Sequence, residues 1–331
     1  MDEDIYAAYG QGSVELGRWT VLGGVRFERT EVETEAVRIL GGAITPATDS
    51  GAYDNWLPSL HLRYDVTDSI VLRAAYTNTI GRPDFSQITA REQIGLTGAR
   101  PTLSRGNPDL QPRDSEGLDL SFEWYLPDGL IALAVFRKDI QNEIFTLTTT
   151  EELDLGVGRG VEAVDVSEPR NAQSAEVLGF EASYQQAFTM LPASFDGLGF
   201  NGNITVLDTE LTFLTAAGPR KLTFFQQPDL VTNASVYYQR GPFEGRVSTN
   251  YIGGFLETVN GTIPGADQYW KGRHTWDAQV SWRFTDAITA FAEVENLNDS
   301  GRLEVTGPNR DLLQESAEYG RVYWLGVTAS F

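Results

Sequence analysis

Cysteine and histidine, the side chains most often used for catalysis and metal binding, are nearly absent from this sequence of 331 residues. It has no cysteine and two histidines, His61 and His274. Neither histidine has another histidine three or four positions away, and without cysteine there is no thiol nucleophile, zinc knuckle or disulfide. The sequence also contains no glycine-rich phosphate loop, G-x-S-x-G elbow or H-E-x-x-H motif. We therefore predict a protein that is not an enzyme and that holds no metal or cofactor.

Carboxylates are the chemical groups that remain, because the chain has 46 acidic and 25 basic residues and a net charge of −21. The run Glu151-Glu152-Leu153-Asp154 offers the oxygen ligands that divalent cations take. It lacks a fixed ligand spacing, however, and a solvated charge run explains it better. Among 46 acids, pairs arise by chance, so no carboxylate pair predicts catalysis. The net charge argues against nucleic acid as a partner, because phosphate binding needs clustered lysine and arginine.

An arginine-rich segment near residues 81–113 contains the candidate ligand-facing residues, which are Arg82, Asp84, Arg105 and Asn107. Such a segment could bind an anionic or polyhydroxylated ligand, either a small molecule or a glycan. A solvated loop explains the same composition, and Asn107-Pro108-Asp109 fits a turn in which Asn and Asp bond their own backbone. For the arginine-rich segment we prefer the solvated loop, and for Asn107-Pro108-Asp109 we prefer the turn. The sequence does not identify the ligand.

These residues lie between segments that alternate strictly in polarity. Residues 276–284 read W-D-A-Q-V-S-W-R-F, with every apolar residue on one side of an extended chain. About 13 runs of this kind follow one another, each near the ten-residue length of a membrane-spanning strand. The predicted strands span residues 3–16, 19–34, 54–65, 69–80, 114–126, 129–145, 176–189, 199–211, 227–240, 243–254, 273–285, 287–298 and 318–331.

The connections between the predicted strands are alternately short and long. Tight turns are predicted at 17–18, 66–68, 127–128, 241–242 and 285–286, with a longer one at 190–198. Long polar loops are predicted near 35–53, 81–113, 146–175, 212–226, 255–272 and 299–317. Outer-membrane barrels have this asymmetry, with tight turns on the periplasmic side and long loops outside. The fold class predicted is therefore all-β, an antiparallel up-and-down transmembrane β-barrel.

The polar faces of the predicted strands carry charged and amide side chains, whereas a small soluble barrel fills its interior with apolar groups. Tryptophan and tyrosine occur near strand ends, as in the aromatic girdles of membrane barrels. Lipid would then cover the apolar faces and water would fill the lumen. Asp277, Arg283, Glu293 and Glu295 are predicted to point into that lumen.

Three stretches carry a resemblance to a known family. They are Gly106-Asn107-Pro108-Asp109-Leu110-Gln111-Pro112, the segment GLIALAVFRKDIQNEIF at 129–145, and Val294-Glu295-Asn296-Leu297-Asn298-Asp299 before the last strand. In this order and spacing they resemble the C-terminal part of the barrel of TonB-dependent outer-membrane receptors. The resemblance covers most of the chain, best from about residue 70 onward, and its details are most similar to the branch linked to carbohydrate uptake.

The resemblance implies a 22-stranded barrel with an N-terminal plug domain and a TonB box. Residues 1–331 are expected to form the C-terminal portion of such a barrel, about 13 strands, with no plug. We expect a truncated gene product or fragment that cannot transport actively by itself. The parent protein would take up a scarce or bulky nutrient, such as a siderophore, a cobalamin-like compound or a carbohydrate. The TonB complex would act only through the missing plug.

The last strand offers a further expectation. Tyr323, Leu325, Val327 and the terminal Phe331 fit the assembly signal that the barrel assembly machinery reads, although an ordinary strand end has the same pattern. Outer-membrane lipid is the expected surrounding of the barrel, and the cell outer membrane is the expected location.

Two rival interpretations remain open. A complete smaller barrel would be a passive outer-membrane pore, provided that one strand has been missed. A secreted soluble β-rich glycan-binding protein would need a conventional apolar core, and the alternating polar faces and terminal Phe331 argue against it.

Overall fold

The structure, a computed structural model, describes residues 2–40, 43–89, 91–215, 218–260, 263 and 265–330. Within them the only helix is one turn long, and the rest of the regular structure is β-strand. The elements in chain order are β1 (Asp2–Leu16), β2 (Trp19–Leu40), β3 (Ala43–Thr67), β4 (Ile70–Gly81), α1 (Phe85–Ile88), β5 (Glu92–Gly95), β6 (Thr102–Arg105), β7 (Arg113–Leu126), β8 (Gly129–Gln141), β9 (Ile144–Asp154), β10 (Val161–Asn171), β11 (Ser174–Ala187), β12 (Leu198–Thr215), β13 (Gly218–Leu222), β14 (Leu230–Arg240), β15 (Phe243–Ile252), β16 (Phe255–Thr258), β17 (Gln268–Trp270), β18 (Arg273–Thr285), β19 (Ile288–Glu295), β20 (Arg302–Thr306), β21 (Leu312–Ala317) and β22 (Val322–Ala329). No helix in the described residues is long and apolar enough to cross a membrane.

One large antiparallel sheet forms the wall of the molecule. Its strands follow each other in chain order as β1-β2-β3-β4-β7-β8-β11-β12-β14-β15-β18-β19-β22, with β13 paired to the end of β12. This up-and-down path confirms the all-β fold class and the 13 strands predicted from sequence. The sheet does not close on itself, since β1 and β22 each pair on one side only within the described residues.

The strand boundaries differ from the prediction in several places, of which two concern the wall strands β2, β3 and β8. The run predicted as one strand over 129–145 is divided at Asn142, whose φ of 57° is left-handed and ends β8. The loop expected near 35–53 is mostly strand, because β2 and β3 continue to Leu40 and from Ala43 as one long hairpin. Both differences lie at the ends of strands that lead into the long connections. There the residues no longer alternate between apolar and polar, so the sequence does not show where the strand ends.

The two faces of the sheet have opposite chemistry. The register places Leu120, Val135, Phe180 and Val206 side by side on β7, β8, β11 and β12. These apolar side chains are exposed, with Leu120 at 58%. A soluble protein would cover such an apolar surface, whereas a membrane barrel presents it to lipid.

The opposite face is polar and pairs within itself. Arg73 on β4 donates to Glu123 on β7 at 2.9 Å. Farther along, Asn250 donates to Asn233, and Asn233 donates to Asn203 at 2.9 Å, so three neighbouring strands are linked by side-chain amides. Many polar groups on this face therefore pair with a neighbour or face the open lumen, although Asn55 Oδ1 and Arg273 Nε are buried without a hydrogen-bond partner among the described residues.

Aromatic rings cover glycines on the polar face. Phe136 lies over Gly179, and a Cβ added at that glycine would overlap the ring. Tyr237 covers Gly199, and Phe291 covers Gly326, in the same way. The glycines leave room for a large ring to lie flat on the neighbouring strand, which packs the wall without filling the lumen.

The two edges of the sheet differ as predicted. Tight turns close one edge, where Gly17, Asp128 and Gly241 have φ of 64°, 57° and 58°. At the other edge the long connections carry their own β-structure, as two four-stranded sheets ordered β5-β6-β10-β9 and β16-β17-β20-β21. Each small sheet draws its strands from two separate connections.

Candidate ligand-binding surface

We define the outer layer as the five long connections that carry β-structure or α1, namely residues 82–112, 142–173, 218–229, 253–272 and 296–321. Its main apolar core joins the layer to the upper ends of β11 and β12. Phe213 and Leu211 are fully buried there with Leu256, and Phe145 stacks on Phe225. A second core belongs to the β5-β6-β10-β9 sheet. It consists of Leu103 on β6, Val164 and Val166 on β10, and Leu155, which follows β9. The layer is therefore packed and not a set of independent loops.

Arg82 and Asp84 hold the first connection against the wall. The Arg82 guanidinium pairs with Glu28 on β2, which also pairs with Arg26, and Arg82 Nε donates to Thr30 Oγ1 at 3.3 Å. Asp84 precedes α1, and its backbone N–H donates to Gln87 Oε1 at 2.8 Å. These contacts fix the start of the connection.

Arg105 and Asn107 join that connection to β9 and β10. Arg105 Nε donates to Glu168 at 2.9 Å, with Glu151 at 3.8 Å. The Asn107 side chain donates to Pro169 O and accepts from the Asp109 N–H, each at 3.0 Å. The turn chemistry expected for Asn107-Pro108-Asp109 is present in the second of these bonds.

The structure brings the turn that begins at Asp84 together with Asn107. The Asn107 N–H donates to Gln87 O at 2.6 Å, next to the turn that Asp84 begins. A cavity of about 110 Å³ lies beside this junction, lined by Pro83, Ile88, Pro108 and Gln111 and, from the wall, by Glu3 and Tyr53. Each of the four candidate residues is used in positioning the layer, and none of them lines the cavity itself, although Pro83 and Pro108 next to them do.

A buried junction that sequence analysis missed joins three other connections at Asp267. Its carboxylate pairs with Arg220 and accepts from the Asn260 N–H at 2.9 Å, while its carbonyl accepts from Thr306 Oγ1 at 2.9 Å. Asp267 is 3% exposed. The partners are separated by up to 86 positions in sequence, from Arg220 to Thr306, so no local spacing could reveal the junction.

A second group missed from sequence lies on the β16-β17-β20-β21 sheet. The Arg302 guanidinium lies 3.8 Å from the centre of the Trp270 ring and 5.9 Å from that of Phe255. Glu304, on the same strand, is 8% exposed. Burial is the main cause that raises the pKa of Glu304, and the neighbouring carboxylates Glu315 and Glu257 raise it further.

Glu143 is a further buried carboxylate, in the short break between β8 and β9. It accepts from Arg113 at 3.0 and 3.3 Å. Burial raises the pKa of Glu143, and the Arg113 charge only partly opposes that effect.

The predicted lumenal residues lie on the polar face near the end of the chain. Asp277 accepts a hydrogen bond from the Asn296 N–H at 2.8 Å. Glu293 pairs in register with Trp324, and Glu295 with Val322. Arg283 is exposed, close to the tight turn after β18. The four are spread along the strands and do not converge on one site.

On the last strand, Tyr323, Leu325 and Val327 share the apolar face and are strongly exposed, Leu325 at 85%. They lie on the edge strand β22. Phe331, the fourth residue of the expected assembly signal, lies outside the described residues.

Within the described residues no group of three His, Asp or Glu side chains could hold a metal ion. The arrangement instead offers an open polar wall beneath a packed layer with a cavity, charged residues and stacked aromatic rings. Such a surface can bind a ligand.

Comparison with known proteins agrees with this architecture. The family model described as TonB dependent receptor-like, beta-barrel, matches residues 1–297. The chain is 30% identical over 162 residues to the ferric enterobactin receptor of Pseudomonas aeruginosa, covering 46% of the chain and 21% of that receptor. It is 26% identical over 252 residues to the iron-regulated outer membrane virulence protein of Vibrio cholerae, covering 75% of the chain and 34% of that protein.

Solved structures show the same fold. The copper transporter OprC superposes with a TM-score of 0.70 at 16% identity, covering 99% of the chain and 48% of the transporter. The unliganded ferric citrate transporter FecA gives 0.68 at 14% identity, covering 98% and 45%. The chain thus spans about half the length of these transporters, and a fifth to a third of the two curated relatives.

Proposed function

The chain belongs to the TonB-dependent receptor family, as an outer-membrane β-barrel, and on that premise we propose that the full-length protein takes up a scarce or bulky nutrient across the outer membrane. The observation that carries the proposal is the packed outer layer. It lies at the edge of the wall where the long connections are, and the lumen-facing side of that wall is lined with polar groups. A passive pore needs only an open entrance, whereas a receptor needs a shaped surface that selects its ligand before passage.

Among nutrient classes, a siderophore has the most support. One relative is named for ferric enterobactin and another for its regulation by iron. A cobalamin-like compound or a carbohydrate are the other classes considered, and the amide and hydroxyl groups along the lumen wall would suit the latter.

In this proposal Arg82, Asp84, Arg105 and Asn107 act mainly by positioning the connection that borders the cavity. Asp277, Arg283, Glu293 and Glu295 line the lumen. Tyr323, Leu325, Val327 and Phe331 contribute the sequence by which the barrel assembly machinery inserts the wall. The TonB complex supplies energy through a plug domain of the full-length protein.

Uptake by cells tests the function directly. A strain deleted for the gene and the same strain carrying it on a plasmid are compared for accumulation of radiolabelled iron from a panel of ferric siderophores. We expect accumulation that requires the gene, saturates with ligand and stops when the proton-motive force is dissipated. Uptake of labelled oligosaccharides by the same two strains tests whether the nutrient is a carbohydrate.

The passive-pore alternative gives the opposite result. Entry would then rise linearly with concentration and continue without the proton-motive force or the TonB complex. The purified protein in planar bilayers would show a steady open conductance.

A further inference from the structure

We propose that one face of the β16-β17-β20-β21 sheet is a binding site for an organic cation, an ammonium or guanidinium group carried by a ligand. The inference rests on the proposed function, because it assigns a ligand chemistry to the outer layer. We call this face the cation site and define it by Phe255, Glu257, Trp270, Glu304 and Glu315.

The strand register assembles the site from two connections. Phe255 pairs with Trp270, Trp270 pairs with Glu304, and Glu304 pairs with Glu315. Glu257 lies at an irregularity of β16, and its charge acts on Glu304. Two aromatic rings are therefore next to three carboxylates.

Glu304 is the residue that points to a ligand. It is more than nine-tenths buried, and in the described part of the chain its carboxylate has neither a hydrogen bond nor an ion pair within 4 Å. Burying an unpaired carboxylate is costly. Two further carboxylates nearby add to that cost, and the charge of Arg302 offsets it only in part.

Arg302 shows that the rings of this site accept a cation. Its guanidinium lies over Trp270 at 3.8 Å, a short distance for a cation–π contact. It does not reach Glu304 within ion-pair distance. Arg302 thus occupies the aromatic part of the site. Of the carboxylates, Glu257 accepts from Gln226 Nε2 at 3.1 Å, whereas Glu304 and Glu315 have no hydrogen bond or ion pair in the described residues.

The surrounding charge favours a cation as well. The two connections that build the site, residues 253–272 and 296–321, contain seven acidic and four basic side chains. Glu315 is exposed and Glu257 and Trp270 are partly exposed, so a ligand can reach the site from solvent.

An organic cation fits better than a metal ion. The described residues contain no group of three side chains placed to coordinate a metal. Aromatic rings contribute nothing to the oxygen coordination that Ca²⁺ or Mg²⁺ requires, whereas they attract ammonium and guanidinium groups.

The test uses the full-length protein in detergent and agmatine, which carries one ammonium and one guanidinium group. Isothermal titration measures its affinity, with CaCl2 and sodium citrate as the metal and anion arms. We expect saturable binding of agmatine that Glu304→Gln weakens at least tenfold and that Glu318→Gln, on the same connection but outside the site, leaves unchanged.

Arg302→Ala provides a gain-of-function arm. Removing the resident guanidinium frees the Trp270 ring, so the affinity for agmatine is expected to rise severalfold. The matched control is Arg310→Ala, because Arg310 stacks at 3.9 Å on Tyr269, which packs into the apolar core of the layer. Glu304→Gln removes a buried charge and is expected to fold, and circular dichroism verifies this for every variant.

The inference is overturned if agmatine does not bind saturably, if binding is indifferent to Glu304→Gln, or if Ca²⁺ or citrate binds there in its place. Binding to purified protein needs no energised membrane, so the outcome is separate from that of the uptake assay. Energised uptake without agmatine binding would refute the cation site alone. Agmatine binding without energised uptake would refute the proposed function.

Discussion

The backbone N–H of Asn296 donates a hydrogen bond to the carboxylate of Asp277 at 2.8 Å, which joins the outer end of β19 to β18. Asn296 has a left-handed φ of 53°. Its side chain donates to Gly320 O at 2.8 Å and to Ser300 O at 3.2 Å, and accepts from the Ser300 N–H at 2.8 Å. One asparagine thus closes the connection between the last two strands of the sheet, and Asp277, expected only to line the lumen, is part of that closure.

Replacing Asn296 by alanine should weaken this connection. The variant loses its side-chain hydrogen bonds, each contributing about 1 kcal/mol, and keeps a residue with a β-carbon at a left-handed φ. We expect Asn296→Ala to lower the free energy of unfolding by about 2–3 kcal/mol, measured by urea denaturation in detergent micelles.

The control for that variant is Asn201→Ala. Asn201 is exposed on the polar face, and its side chain has no hydrogen bond in the described part of the chain. A loss of stability as large as that of Asn296→Ala would show that any asparagine on this wall is equally important, and would contradict a special role for Asn296.

The wall was predictable because its polarity alternates. Lipid on one side and water on the other leave a two-residue period, as in residues 276–284, and this period is local in sequence. The aromatic–glycine pairs were not predictable, since Phe136 and Gly179 are on different strands and neither residue marks the other.

The outer layer was less predictable for a related reason. Its two small sheets are each completed by a strand pair between connections, as β6 pairs with β10 across more than 55 residues, and no local pattern in the sequence marks such a pair. Arg82 and Arg105 were found because arginines were clustered, but Asp267 and Glu304 were not, because their importance comes from burial and a single carboxylate in a polar loop has no distinguishing pattern.

Packing of Phe136 on Gly179 can be tested with an added methyl group. Gly179→Ala places a Cβ within the ring of Phe136, so the ring must move and the strands separate. We expect a loss of about 1–3 kcal/mol in the free energy of unfolding, as for other overpacked sites. The same substitution in a Phe136→Ala background should cost much less.

Gly12→Ala is the matched control for the added methyl. A Cβ at Gly12 meets no atom within 4 Å, so the variant should be neutral or slightly stabilising. If Gly179→Ala were as harmless as Gly12→Ala, close packing of the ring on the glycine would not be a source of stability.

The Asp267 junction should determine how rigid the outer layer is. Asp267→Ala leaves the Arg220 guanidinium without its buried partner and removes the acceptor for the Asn260 N–H, a local cost of about 3 kcal/mol. We expect faster hydrogen exchange in β13 and β20, which the junction connects, and unchanged exchange in the wall strands β7 and β8.

Asp311→Ala is the control for that variant, because Asp311 is exposed in the same layer and has no ion pair in the described residues. Equal exchange rates in β13 for both variants would mean that the layer is held by its apolar core alone.

Glu143 gives the outer layer a pH dependence whose direction follows from burial. Its pKa is raised, so the folded state holds the proton more tightly than the unfolded state does. The contribution of Glu143 to the free energy of unfolding is therefore largest below the ordinary glutamate pKa of about 4.3 and decreases as the pH rises through the raised value. Arg113 limits that decrease by pairing with the ionised carboxylate at 3.0 Å.

Arg113→Ala should therefore destabilise the protein at pH 8 and much less at pH 5, where Glu143 is closer to neutral. Because Arg113 is half exposed, the expected loss at pH 8 is about 1–2 kcal/mol. Urea denaturation at the two pH values measures it, and adding Glu143→Gln to Arg113→Ala should remove the difference. A pH dependence that persists in the double variant would assign it to a group other than Glu143.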